Sequence, residues 1–268
     1  MNPQLYKAHY YLGGLLIEIG KLKAAKESIQ KSIELKSDFS DGYFALSKLI
    51  NSSNDQKWQN KIFSEDVTKN MSSDHLINIY FARANILHKK KDYKESANYL
   101  KLVNNNKLKI YPYEINLIFK NSEKLLILSN KKVDRSKKII SNLKHIFIVG
   151  MPRCGSTLLE SIISLNREVN DLGENQFLIN SFNELNELKG ENKELKLAEL
   201  YAEKIKSLKG DFKITTDKCL PNYQYTGIIA NHIPGAKIIH CYRNPLDNIL
   251  SIYRANFSLN GKAFRYSS

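Results

Sequence analysis

The chain of 268 residues is 42% hydrophobic and 25% charged, ordinary globular values that exclude wholesale disorder and leave room for one large domain or two ordinary ones. Its net charge of +14 raises a nucleic-acid partner, but residues 1–142 hold 25 Lys+Arg against 14 Asp+Glu, while residues 143–268 hold 16 against 13. The excess is mostly lysine on polar helix faces, without interleaved arginines and aromatics, so it reads as a solvated basic surface and not as a nucleic-acid site.

The start, MNPQLYKAHYYLGGLLIEIG, carries Glu18 and lacks both a basic leader and a small-residue cleavage site, so it does not read as a signal peptide. No stretch along the chain approaches the roughly 18 apolar residues of a membrane span. Cys154, Cys219 and Cys241 are odd in number, far apart and without a C-x-x-C pair, which predicts a reducing compartment and a cytoplasmic protein.

In residues 6–39 the spacing Leu12-Gly13, Leu16, Gly20, Ala25, Ile29 places small and apolar residues on the contact faces of two antiparallel helices. It fits the tetratricopeptide pattern of about 34 residues, with Ser37 where a terminal proline usually stands. A second match runs through Tyr80, Ala84, Leu87, "KKKDY", Ser96 and Leu100. Between them, "NSSNDQKWQN" and "KNMSSDHL" read as turns around a degenerate repeat; generic helical hairpins are the alternative. "SNKKVDRSKK" (129–138) reads as a polar linker or the end of a last helix. The expected division is a tetratricopeptide-like helical repeat domain over 1–142 and a second domain over 143–268.

The period changes at residue 145. "HIFIVG" is a continuous apolar run with β-branched residues and suits a buried parallel strand; "STLLESIISL" follows as an amphipathic helix. "EVNDLGE" predicts a short strand and turn, and "ENQFLINSFNELNEL" and "KELKLAELYAEKIKSL" predict helices. "KITTDK" reads as a short strand, "YQYTGIIANHI" as a helix and "PGAKIIHCYR" as a turn into a second strongly apolar strand. "NPLDNILSIYRANF" opens a helix with proline early and Asp247 in its first turn. Strands alternating with helices imply an open parallel sheet with ligands beyond the strand carboxyl ends.

The loop "GMPRCGST" (150–157) lies between such a strand and helix and nearly matches the phosphate-cradling pattern GxxxxGK[ST], but Ser156 stands where the lysine would be. Backbone N–H groups, the hydroxyls of Ser156 and Thr157 and the forked cation of Arg153 suit an anion. The second apolar strand ends in Arg243, where a nucleotide triphosphatase usually places an Mg²⁺-binding Asp. A cation there can grip a second phosphate, and Ser251, two helical turns on, can face the same ligand. The implied ligand carries two separated phosphates and needs no metal. His232 and His240 show no metal-ligand spacing.

These residues resemble the sulfotransferases that use 3′-phosphoadenosine 5′-phosphosulfate (PAPS), most closely the bacterial tetratricopeptide type and, more distantly, the protein-tyrosine type. "FIVGMPRCGSTLLESII" is similar to the family's 5′-phosphosulfate loop, "KIIHCYRNPLDNILSIY" to its 3′-phosphate motif, and "LGE" and "TDKCLPN" fall between them in the family's order. The resemblance covers about residues 143–264 and, more loosely through the repeats, 1–125. It implies tetratricopeptide-like hairpins followed by a P-loop-type parallel α/β domain with PAPS as co-substrate and no metal. Arg153, Cys154, Gly155, Ser156, Thr157 and Leu158 would hold the 5′-phosphosulfate, and Arg243 and Ser251 the 3′-phosphate. Glu174 would be the catalytic base, and Lys218 with Arg153 would stabilise the leaving group. Cys154 stands where the family usually has serine.

From the residues alone, Glu174 also fits the first turn of the next helix, and Lys218 a surface pairing near Asp217. Family catalytic domains continue well past the 3′-phosphate helix, so the resemblance implies that the domain is incomplete at Ser268. The expected activity is sulfuryl transfer to a hydroxyl-bearing acceptor (peptide, glycan or small molecule), with a protein partner expected on the repeat surface, and neither nucleic acid nor a membrane span. The alternatives are a repeat-based binding module with a degenerate sulfotransferase remnant and, against the missing lysine and strand-end Asp, a P-loop NTPase or kinase.

Overall fold

The computed structural model describes residues 5–50, 55–69, 71–112, 115–130, 143–187, 193–206 and 213–257. The chain divides into two compact units, residues 1–113 with 253–268, and residues 114–252.

The first unit is helical. It contains α1 (Leu5–Glu18), α2 (Leu22–Leu35), α3 (Ser40–Leu49), α4 (Gln56–Phe63), α5 (Glu65–Thr68), α6 (Ser73–Lys89) and α7 (Tyr93–Ile110). The α1–α2 and α6–α7 pairs form on the two segments whose small-residue spacing predicts hairpins. Gly13 is needed for close approach, because a Cβ there would sit 2.5 Å from Ile29 Cγ1. Ala25 and Ile29 are buried as their spacing predicts, whereas Leu12, placed on the contact face by the same spacing, is exposed. The core joins Ile29, Ile33, Tyr43, Leu46, Ile62, Ile79 and Ile86.

The stretch "NSSNDQKWQN" is not simply a turn: from Gln56 it is α4, and Trp58 and Ile62, one helical turn apart, enter the core. Its first four positions lie outside the described residues. Eight residues in a polar setting carry too few apolar positions for the period to emerge from the sequence. In "KNMSSDHL" the turn is confined to the stretch before Ser73, where α6 begins.

The second unit holds α8 (Ile115–Ser129), β1 (Lys144–Gly150), α9 (Ser156–Ile163), β2 (Val169–Asp171), α10 (Phe177–Glu187), α11 (Lys193–Lys206), β3 (Ile214–Asp217), α12 (Thr226–His232), β4 (Lys237–Cys241) and α13 (Pro245–Tyr253, its last residue counted with the first unit). The sheet has the order β2-β3-β1-β4, and every pairing is parallel. Central β1 is covered on both faces, with Phe147 and Ile148 fully buried, as expected of a parallel strand. β4 lies at the sheet edge, and Lys237, Ile238 and His240 are exposed there in spite of the apolar sequence. Within "YQYTGIIANHI" the α-helix starts at Thr226; Leu220–Tyr225 is a 3-10 turn with Pro221 at its start.

The division of contacts also differs from the sequence boundary at 142/143. α8 packs on the sheet unit: Leu125 joins the core of Phe147, Leu178, Tyr201 and Ile229, and a Cβ on Gly227 of α12 would sit 2.5 Å from Ser129 Cβ. The linker read over 129–138 lies, from residue 131 on, outside the described residues.

Two features position the site. First, the chain leaves β1 toward β3 and β2 on one side and toward β4 on the other, so a switch point lies at the carboxyl end of β1. Second, the candidates other than Ser251, which lies in α13, follow strand ends: Arg153 to Leu158 after β1, Glu174 after β2, Lys218 after β3 and Arg243 after β4.

Candidate active site

The loop from Gly150 to Gly155 is shaped by backbone constraints. At Gly150 a Cβ would meet the carbonyl oxygen of Cys241 at 2.5 Å, because β4 lies directly against it in register. Arg153 (φ 69) and Gly155 (φ 100) both take the left-handed region, which turns the chain sharply into α9. Gly155 is the N-cap, and the first backbone acceptor bond of the helix runs from Leu159 N–H to Gly155 O at 3.1 Å. The N–H groups of Ser156, Thr157 and Leu158 thus have no acceptor within the helix, the usual condition of a helix start that receives an anion. Ser156 is buried and Thr157 exposed.

α13 and the residues that lead into it are tied to this loop at three points. Asn248 Nδ2 donates to Pro152 O at 2.7 Å in a buried bond, Arg153 Nε donates to Ser251 Oγ at 3.2 Å, and Arg243 Nη1 donates to Arg153 O at 3.3 Å. The Asn244 side chain caps α13 by accepting from Leu246 N–H at 3.0 Å and Asp247 N–H at 3.3 Å. The structure therefore brings Arg153, Arg243 and Ser251 together, although 98 residues separate the first from the last. Cys154 and Cys241 are neighbours, and burial, with Cys154 as a further cause, raises the Cys241 thiol.

A second cluster occupies the ends of β2 and β3. Glu174 Oε1 accepts from Lys218 Nζ at 2.8 Å. Lys218 is 4% exposed, so it is not a surface lysine, whereas the Glu174 side chain is 67% exposed. Glu174 lies three residues before α10, and it is Asn175 whose Oδ1 accepts from Phe177 N–H at 2.8 Å. The helix-start role considered for Glu174 falls to Asn175.

Beneath the pair are two buried carboxylates. Asp217 accepts from Cys219 N–H, Asn222 Nδ2 and Tyr201 Oη at 3.1, 3.1 and 3.0 Å, and burial raises its pKa to about 6 despite those donors. Glu160, one turn into α9, accepts from Thr216 Oγ1 at 2.9 Å and is also raised by burial. Burial and then Asp217 push the Cys219 thiol up to about 12, so it is an unreactive packing thiol.

Sequence reasoning missed Glu160, Asp217, Asn222 and Asn248. The one available signal for Glu160 was a lone acidic residue inside "STLLESII"; the asparagines carried none. Among the described residues no group of three or more His, Cys, Asp or Glu is placed to hold a metal ion, and no helix is long and apolar enough to cross a membrane.

Comparison with known proteins bears on the part of the chain from residue 145 onward. Residues 145–198 and 189–268 match the model of the Sulfotransferase family. A protein of Aquifex aeolicus (strain VF5), described as an uncharacterized protein, is 31% identical in a match of 132 residues that covers 43% of this chain and 17% of the relative. The chain thus spans about a sixth of the length of that curated relative. No solved structure matches the chain significantly. The α/β part of the chain, residues 145–268, is thus similar to the sulfotransferases.

Proposed function

We propose that the protein transfers the sulfuryl group of PAPS to an acceptor hydroxyl. The observation that carries this reading is the convergence of Arg153, Arg243 and Ser251 at the mouth of a glycine-shaped loop that opens α9. Two arginines, three hydroxyls and free N–H groups suit a ligand with anions at two places. The 5′-phosphosulfate would lie against Arg153 and the Gly155–Leu158 helix start, with Cys154 lining the loop. The 3′-phosphate would lie against Arg243 and Ser251.

In this reading Glu174 takes the proton of the acceptor hydroxyl as its oxygen bonds to sulfur. Lys218 and Arg153 stabilise the charge that collects on the oxygen leaving with the phosphate, so that 3′-phosphoadenosine 5′-phosphate departs. The exposure of Glu174 and the burial of Lys218 suit these two roles, because the base must meet an incoming acceptor and a cation acts most strongly away from water. The helical unit is read as tetratricopeptide-like and as the surface that presents a peptide, glycan or protein partner.

Ligand choice tests the reading. Calorimetry should find 3′-phosphoadenosine 5′-phosphate binding more tightly than ATP, with no change when a chelator replaces Mg²⁺. Tighter, Mg²⁺-dependent binding of ATP would overturn the proposal in favour of a nucleotide triphosphatase or kinase.

A further inference from the structure

Glu160 has no part in the roles above, yet it is 5% exposed and its carboxylate is a meeting point of three segments. It accepts from the hydroxyl of Thr216 at 2.9 Å, its Oε2 lies 4.0 Å from Lys218 Nζ, and the Gly173 backbone N–H favours its charged form. Thr216 is two residues before Lys218 on β3, and Gly173 directly precedes Glu174. The two segments are also joined to each other, since Lys218 N–H donates to Gly173 O at 3.0 Å. Glu160 itself lies four residues, about 6 Å of helix rise, beyond Ser156 at the anion-binding end of α9.

We infer that Glu160 is a positioning residue for the Glu174–Lys218 pair, holding both at a set distance from the helix start and remaining beside Lys218 when Glu174 loses its charge. This rests on the proposed roles of Glu174 and Lys218. An exposed carboxylate that accepts a proton stops countering its partner, and a buried ammonium without a counter-charge is costly. Glu160 cannot swing away, because its side chain is 6% exposed and bonded to β3. The other ionisable groups around this cluster include, among the described residues, Asp171, Asp217, Cys219 and Tyr201. Among the described residues, Glu160 and Glu174 are the carboxylates within 4.0 Å of Lys218 Nζ. With Glu174 neutralised, Glu160 is the carboxyl group that remains beside Lys218, held there by Thr216.

The test uses the full chain as wild type, Glu160→Gln, Lys218→Met and the double variant. Glutamine keeps the shape and an acceptor oxygen while removing the charge. Each protein is measured for unfolding, for binding of 3′-phosphoadenosine 5′-phosphate, and for release of that nucleotide from PAPS with pooled tyrosyl, seryl and sugar acceptors. Glu160→Gln is expected to leave nucleotide affinity within about twofold and to lower kcat about tenfold or more, with little change in acceptor KM. It should cost no further turnover in the Lys218→Met background. The unfolding constants of the two single variants should fail to multiply by about fivefold or more.

Multiplicative unfolding constants, or wild-type turnover in Glu160→Gln, would overturn the inference. If the wild type releases no nucleotide with any acceptor, the functional proposal falls instead, and the unfolding cycle still decides whether Glu160 holds Lys218. Should Glu160→Gln not fold, Thr216→Val takes its place: it removes the hydroxyl donor, leaves every charge in place, and should lower kcat in the same direction.

Discussion

A single arginine at the end of β4 gives a direct test of how the two anion subsites divide. In the proposed reading Arg243 meets the 3′-phosphate and Arg153 the 5′-phosphate, and a lost charge-assisted contact costs about 1.5–3 kcal/mol, or roughly 10- to 150-fold in affinity. Arg243→Ala should therefore weaken 3′-phosphoadenosine 5′-phosphate by that factor and leave adenosine 5′-phosphate nearly untouched. Arg153→Ala should weaken both. Because Arg243 also donates to the Arg153 carbonyl, a loop disturbed by Arg243→Ala would show itself as an equal loss for both nucleotides. That result would remove Arg243 from the 3′-phosphate. The arginines were legible in the sequence because each closes an apolar run, a position that a globular core does not ask of a cation. Glu160 and Asn248 were not, because their partners lie 56 and 96 residues away and only the folded sheet joins them.

Among the elements, β1, the loop and α9 were legible together, since the apolar run, the glycine and the helical period switch within a dozen residues. The edge exposure of β4 was not legible, because strand order does not follow from hydropathy. α4 was lost for a different reason: two buried apolar residues in eight make no readable period. The loop itself carries a prediction, because its two glycines differ in what surrounds them. Both have positive φ, so alanine strains the backbone at either one, by about 1–3 kcal/mol. At Gly155 the added Cβ meets nothing within 4 Å, whereas at Gly150 it meets the Cys241 backbone oxygen at 2.5 Å and Cys154 Sγ at 3.1 Å. Gly150→Ala must push β4 from β1 and should lose about 1–3 kcal/mol more in chemical unfolding than Gly155→Ala. Equal losses would mean that the β1–β4 contact yields without cost.

At the scale of the whole molecule, each unit buries titratable groups, and their signs differ. In the sheet unit burial lowers His145 to about 4 and raises Asp217 to about 6, so on acidification His145 withdraws stability between about 6.5 and 4, while Asp217 adds some between about 6 and 4. The helical unit has a group of another kind. Lys107 is 2% exposed, lies over the Phe81 ring and reaches Phe257 O at 3.4 Å, and among the described residues no carboxylate pairs with it. Burial lowers its pKa from 10.5 to about 8. Below pH 8 the folded chain holds a desolvated charge. Between about 8 and 10.5 the folded lysine has released its proton and the unfolded one has not, so stability rises with pH, by about 2–3 kcal/mol over that window.

Trp58 is the sole tryptophan and sits in the helical core, so its fluorescence follows this unit by itself. Denaturant titrations at pH 7, 8, 9 and 10 should show the wild type gaining stability at each step above 8. Lys107→Met keeps the length of the side chain without the charge; it should be more stable than wild type at pH 7, with a gap that narrows toward pH 10. A methionine variant that is weaker at pH 7 would mean that the ammonium's bond to Phe257, together with the neighbouring bond of Asn104 Nδ2 to Tyr253 O at 3.0 Å, outweighs the cost of burying the charge. The lysine would then be a clasp on residues 253–257, the stretch that follows Ser251 along the chain, and its removal should loosen that stretch first in amide exchange.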